Sequence, residues 1–325
     1  MPKIAYEAWD PAAKTLTTIQ QANAICTTYQ QQGYILTLRQ LYYQFVARDL
    51  IRNKQSEYDR LGEILNKARL AGYMDWNHLE DRTRNLVANT HWRSPDHIME
   101  AVHSSYMVDR WQGQPTYVEV WVEKDALLGV IERPARDLDV AWFSCRGYTS
   151  QSEVWGAAQR VAGKLRRGGY QQAVIIHLGD HDPSGLQMSE DIERRMRLFL
   201  GREGFANQFD IQRIALNMDQ VLQYAPPPNP AKSTDSRYAW YVDKFGTDES
   251  WELDALDPAV IDQLVRDAVE AVLDAAAQAP VLAQEAKDKA LLKLATDNWV
   301  EVATWLDGNY NGNGTADEDD DDGGA

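Results

Sequence analysis

Three acids stand where two apolar runs stop. Val118–Val122 runs into Glu123, and Val174–Leu178 runs into Asp180 and Asp182. Each run is rich in β-branched residues and is followed by a helical pattern, which makes an α/β unit with a parallel sheet. In such sheets chemistry gathers at the carboxyl ends of the strands. Carboxylates crowded at one edge repel one another and are costly to bury unpaired. A hard divalent cation removes both problems, and Mg²⁺ suits this donor set: it takes one or two carboxylates and fills its remaining positions with water or phosphate oxygens. Asp180 and Asp182 alternate, so extended backbone turns both to one side and His181 to the other. Pro183 cannot continue a strand ladder but can open a helix. Gly185 allows backbone or ligand to approach closely. The plainer alternative is two surface acids at strand ends.

A second chemical candidate lies upstream, in TLRQLYYQFVARDLI (Thr37–Ile51). Thr37 is a plausible N-cap. Leu38, Leu41, Tyr42 and Phe45 share one helical face. This spacing turns Tyr43 away from that face, with Arg39 four residues before it on the exposed side. A second amphipathic helix over Ser56–Leu70 buries Tyr58, Leu61, Ile64, Leu65 and Ala68 and leaves Arg60, Lys67 and Arg69 for solvent or phosphate. Gly72 ends it, and Met74–Asp81 fits a small hairpin wing. Helix, helix, wing is a winged-helix arrangement that grips duplex DNA. Packing aromatics are the bland reading of the two tyrosines.

Together these motifs resemble a known family. Glu123 after the first strand, the glycine in SCRGYTSQSE (Ser144–Glu153), and the run Asp180-His181-Asp182-Pro183-Ser184-Gly185 resemble the Toprim domain of topoisomerases, primases and some nucleases. The nearest resemblance is to the A subunit of topoisomerase VI and the related meiotic double-strand-break protein, over roughly 37–84 and 117–216. Arg39-Gln40-Leu41-Tyr42-Tyr43 is similar to the R-x-[IL]-Y-Y motif of that family. The resemblance implies that Tyr43 attacks a DNA phosphodiester, that Arg39 clamps the phosphate, and that Glu123, Asp180 and Asp182 hold Mg²⁺. It also implies a homodimer in which tyrosine and acids come from different protomers, and a separate GHKL-type ATPase subunit. The sequence after the tyrosines, QFVARDLIRN, departs from the family, and some relatives of this architecture cut DNA with water instead of tyrosine. TDESWELDALDP (Thr247–Pro258) resembles a segment of Toprim proteins from mobile elements, which would bring Glu252 and Asp254 toward the metal.

The rest of the chain must position these groups. The expected organisation is an N-terminal helix (1–35), a winged-helix domain (36–94), a linker helix (95–116), a Toprim core (117–220), an extension with C-terminal helices (221–308) and a disordered acidic tail (309–325). Arg82 and Arg84, with His91-Trp92-Arg93, offer cations and an aromatic to a nucleic-acid backbone; an interdomain salt-bridge set is the alternative. Lys124 is placed to contact phosphate or pair with Asp125, and Arg146 and Tyr148 follow the Val140–Cys145 strand to the same edge. In Tyr224–Gly246 the prolines argue against regular structure, and cations interleave with aromatics. Lys164, Arg166 and Arg167 suit a helix C-terminus.

At 325 residues, 44% hydrophobic and 25% charged, the chain is globular and has room for two domains. Its net charge of −16 argues against a general nucleic-acid binder, although Asp317–Asp322 alone supplies six negative charges. Two distant cysteines, Cys26 and Cys145, read as reduced thiols of a cytoplasmic protein. No apolar run is long enough for a bilayer, no zinc spacing is present, and no Gly-x4-Gly-Lys-Ser/Thr loop supplies ATP chemistry. The expected function is therefore magnesium-dependent DNA cleavage by tyrosine transesterification. The alternatives are a water-using Toprim nuclease and a non-catalytic DNA-binding or assembly module.

Overall fold

The computed structural model describes residues 3–80, 89–146 and 149–310. The chain divides into two compact units, Met1–Leu86 with Gly113–Asp274, and Val87–Gln112 with Ala275–Ala325.

In the first unit, α1 (Ala13–Gln31), α2 (Leu38–Ala47) and α3 (Gln55–Leu70) form a small helical layer. Thr37 caps α2 in both directions: its hydroxyl accepts from the Gln40 amide, and the Gln40 side chain accepts from the Thr37 amide. Ile19, Ile25 and Tyr29 of α1 pack against Leu41 and Phe45 of α2 and Leu61 and Leu65 of α3. The wing expected over Met74–Asp81 is described only as far as residue 80. Residues 74–80 make a 3-10 turn, Trp76–His78, and one isolated bridge, Leu36 to Leu79, instead of a two-stranded hairpin.

Four parallel strands follow: β1 (Thr116–Val122), β2 (Ala141–Ser144), β3 (Gln172–Leu178) and β4 (Phe209–Ala215), in the order β2-β1-β3-β4. The apolar runs read from sequence are the two central strands, paired Val118 to Val174 and Val122 to Leu178. All seven residues of β1 are buried, as a strand covered on both faces requires. The connecting helices are α5 (Leu128–Asp137), α6 (Gln151–Arg167) and α7 (Pro183–Glu203). Trp121 and Ile175 point toward α6 and α7, where they meet Val154, Ala158, Ile192 and Met196. The alternate residues, Val120 and Ile176, face the other side, where α5 packs on α10 (Pro258–Glu270).

Between β4 and α10 lie α8 (Met218–Tyr224), α9 (Tyr238–Phe245) and a two-residue antiparallel pair, β5 (Asn229–Pro230) with β6 (Glu249–Ser250). The proline-based expectation for Tyr224–Gly246 is thus half right. Pro226–Pro228 lie outside regular structure, but beyond Arg237 nothing interrupts helical hydrogen bonding and Tyr238–Phe245 is a helix.

The second unit is helical. Helix α4 (Pro95–Ser105) packs with α11 (Ala275–Asp297), and α12 (Trp299–Tyr310) follows. Arg110 donates to both oxygens of Glu285, at 3.0 and 2.7 Å, and the Tyr106 hydroxyl donates to Asp288 at 3.0 Å. The stretch expected as a linker therefore shares a unit with α11 and ends well before β1. Among the described residues no helix is long and apolar enough to cross a membrane. Arg82, Arg84, Tyr148 and the acidic tail from 311 onward lie outside the described residues.

Candidate active site

The three acids do converge. Glu123 follows β1, Asp180 follows β3, and Asp182 caps α7. All three line one cavity of about 580 Å³, with Arg39, Lys124, Arg146 and Lys232 on the same wall. Each acid is fixed by backbone. Glu123 Oε2 accepts from the Asp180 amide at 2.9 Å, Asp180 Oδ1 from the Leu253 amide at 2.8 Å, and Asp182 Oδ1 from the Gly185 amide at 2.6 Å. Pro183 opens α7 without wasting an amide hydrogen, which holds Asp182 at the helix N-cap.

Two glycines make this closeness possible. A Cβ on Gly179 would stand 2.9 Å from Glu123 Oε2. A Cβ on Gly185 would stand 2.4 Å from the Asp180 carbonyl oxygen and 3.1 Å from Glu123 Oε2. Arg213 closes the floor. Its guanidinium donates to the carbonyls of Gly179 (2.9 Å), Asp180 (2.6 Å) and Gly185 (3.1 Å) and to Ser189 Oγ (2.7 Å). That arginine was not anticipated; its one signal is a single cation inside the β4 run DIQRIAL.

A second pair of acids enters from far along the chain. His181 and Trp251 exchange amide bonds at 2.8 and 2.9 Å, and this lays the WELDAL segment against the acid loop. Glu252 and Asp254 then reach the cavity. Lys124 sits among them. Its ammonium is 2.8 Å from Asp180 Oδ2, 2.9 Å from Glu252 Oε2 and 2.8 Å from Asp254 Oδ1. The pairing with Asp125 offered as one sequence option does not occur; Arg146 takes Asp125 instead, at 2.8 Å. His181 is buried on the far side, against Tyr241, Phe245 and Trp251.

Burial sets the protonation behaviour. It pushes Glu123 above the usual carboxylate range and Asp180 up to about 7. Burial also opposes charge on Lys124, but Asp254, Asp180 and Glu252 outweigh it and hold the ammonium above its ordinary value. For Glu252, burial is likewise outweighed, here by Lys124 and Arg39, and its carboxyl titrates below the usual range.

Tyr43 corrects the sequence reading. It is 2% exposed, not solvent-facing. Helix α2 is buried nearly all round because its second face, Gln40, Tyr43 and Gln44, packs toward the 3-10 turn Leu253–Ala255 and Asn229. The Tyr43 hydroxyl accepts from Asn229 Nδ2 at 3.1 Å, and burial pushes the phenol up to about 12. Tyr42 is also buried, its hydroxyl donating to Asn53 at 2.8 Å. Arg39 stays at the rim, ion-paired to Glu252, 3.4 Å from Asp254, and 5.9 Å over the Tyr43 ring.

The expected DNA-contacting cations are dispersed. Arg60 is tied to Glu57 at 2.6 Å. Arg69 lies over Trp76 and lines a cleft of about 340 Å³ that shares Arg39 and Ala126 with the acid cavity. Lys67 is exposed on α3. Among the described residues, Lys124, Arg146 and Arg39, together with Lys232, line the acid cavity.

Among the described residues no three acidic, imidazole or thiolate groups are already arranged around an empty metal position. The oxygen-only donor set nevertheless fits Mg²⁺. The backbone engages one oxygen each of Glu123 and Asp182, and both line the open cavity. Two carboxylates with water and phosphate oxygens complete the coordination this ion prefers. No known protein family and no curated protein matches the chain.

Proposed function

We propose that this protein is a magnesium-dependent enzyme that cleaves phosphodiester bonds of double-stranded DNA, with water and not Tyr43 as the nucleophile. One observation carries the reading: Glu123, Asp180 and Asp182 line a single cavity whose wall also carries four cationic side chains, while Tyr43 is buried outside it. Acids suited to a hard cation and cations suited to a phosphodiester then meet at one point. The resemblance to Toprim proteins supports the same substrate class.

Glu123 and Asp182 would hold the ion, and Asp180 would sit between it and Lys124. Held by these residues, Mg²⁺ would supply Lewis-acid polarisation of the phosphate and a lowered pKa for water. Arg39 and Lys232 would orient the DNA phosphates from the rim. Arg213 keeps the acid loop in place from below without touching substrate. Water forms the new P–O bond and gives up one proton, the bond to the leaving sugar oxygen breaks, and that oxygen takes up a proton.

A second reading, transesterification by Tyr43, draws on Asn229, which lines the cavity and also holds the Tyr43 hydroxyl. It requires α2 to loosen before the phenol can reach a phosphate. The test is nicking of supercoiled plasmid with Mg²⁺. Glu123→Gln and Asp182→Asn should each abolish it, and Tyr43→Phe should retain it. Cleavage that survives both acid substitutions would sink the proposal. Cleavage lost in Tyr43→Phe alone would favour the second reading.

A further inference from the structure

Seven carboxylates line the cavity; Asp125 is paired with Arg146 and Asp235 with Arg237, and the other five, Glu123, Asp180, Asp182, Glu252 and Asp254, come from three segments. Asp180 Oδ2, Glu252 Oε2 and Asp254 Oδ1 surround one point, and each lies within 2.9 Å of the atom that occupies it, Lys124 Nζ. Three carboxylate oxygens, one from the acid loop and two from the 252–254 segment, around one centre form a cation's environment. Here the cation is covalently part of the chain. The group is also deeply placed, for Asp254 is 1% exposed and Asp180 6%. Among the described residues none donates a hydrogen bond to Asp254 Oδ2, also buried, and the Arg39 guanidinium stands 3.4 Å from it. Without Lys124 this group of acids would be left uncompensated in a poorly solvated place.

We infer that the Lys124 ammonium takes the place of a second metal ion, so that the cavity accepts one divalent cation, at Glu123 and Asp182, and not two. The ion count rests on this geometry alone; the part Lys124 plays in cleavage rests on the proposed function. Two-metal phosphoryl-transfer sites place their ions about 3.5–4 Å apart, one on each side of the reacting phosphate. In this cavity a fixed monovalent charge occupies one side. Glu252 also pairs with Arg39, so the same carboxylate positions the inner ammonium and the rim guanidinium. A lysine ammonium is a compact point charge, which makes it the natural side chain for such a role.

The experiment counts Mn²⁺ bound to the purified full-length chain by electron paramagnetic resonance of the free ion. The acidic tail is the same in every variant, so any ions it takes up cancel and differences between variants decide. Lys124→Ala should bind one more Mn²⁺ per chain than wild type, and adding Glu252→Gln and Asp254→Asn should remove that extra ion. Mg²⁺ should raise the melting temperature of Lys124→Ala more than that of wild type, because the ion replaces the lost ammonium. Glu252→Gln with Asp254→Asn in the wild-type background should leave the count unchanged, a test that does not depend on Lys124→Ala folding. The inference is overturned if Lys124→Ala binds no additional ion. It is equally overturned if the double acid substitution removes an ion from wild type, since those acids would then already hold a metal. Absence of plasmid cleavage by wild type would remove the proposed function and leave the count readable.

Discussion

Helix α7 contains two glycines whose replacement by alanine should move stability in opposite directions. At Gly185 the new Cβ meets the Asp180 carbonyl oxygen at 2.4 Å, the Asp180 carbonyl carbon at 3.1 Å and Glu123 Oε2 at 3.1 Å. The closest partner is backbone, so relief requires α7 and the acid loop to part by most of an ångström. Overpacking of this kind costs about 1–3 kcal/mol. The gain in helix propensity, at most about 1 kcal/mol, offsets part of it. At Gly201 the new Cβ meets only Ala206 Cβ, at 3.8 Å, an ordinary contact, and the site is exposed helix. There the propensity gain of about 0.5–1 kcal/mol stands alone. Urea unfolding should therefore place Gly185→Ala below wild type and Gly201→Ala above it, with a gap of about 2 kcal/mol and unchanged slopes. Gly185→Ala should also lose Mn²⁺ affinity, because Glu123 Oε2 and the Asp180 backbone are the atoms that must move. Gly185→Ala as stable as wild type would refute the claim that this glycine sets the spacing of the acids.

Other outcomes follow from the same structure. Glu119, buried inside β1, accepts from Tyr117, from Trp121 and twice from Arg160. Arg160→Ala strands that carboxylate and should cost about 3 kcal/mol in urea unfolding; a loss below about 1 kcal/mol would contradict this. His177, buried against Ser189 and near Arg213, is pulled by burial from 6.5 down to about 3. The unfolded chain takes up this proton as pH falls through 6.5 and the folded chain does not until about 3, so the group costs stability on acidification across that window. His177→Asn should lower the slope of stability against pH, between about pH 6 and 4, by about 1.4 kcal/mol per unit; an unchanged slope would refute the assignment. Arg110→Ala removes both bonds to Glu285, whose carboxyl Arg110 holds down at about 2. It should increase hydrogen exchange in α11 while leaving the sheet strands unaffected. Tyr43→Phe loses one bond from Asn229 and should cost about 1 kcal/mol, measured by thermal unfolding.

The acids were readable because their surroundings are local. An apolar run followed by an acid marks a buried strand and its carboxyl end, and Asp182-Pro183 is an N-cap followed by a first helical residue. What lay beyond sequence was set by partners far along the chain. Spacing put Tyr43 on the solvent side of α2, yet a segment some two hundred residues later covers that side. The uncharged trio Gln40, Tyr43 and Gln44 was the available hint, since an exposed face rarely goes without charge. The partners of Lys124 depend on the His181–Trp251 bridge, which no local pattern announces. Over 74–80 the chain has turn formers without the alternation that pairs two strands, and it makes a 3-10 turn there. Similarly, the Ala-rich α11 carries little amphipathic signal, and it meets α4 through Thr296, whose hydroxyl donates to the Met99 carbonyl 197 positions away.

The most direct test of the central claim is to cut plasmid in ¹⁸O-labelled water with Mg²⁺ and weigh the DNA ends by mass spectrometry. Attack by water predicts one ¹⁸O in each new terminal phosphate and ends free of protein. Unlabelled ends joined to the chain through Tyr43 would contradict it.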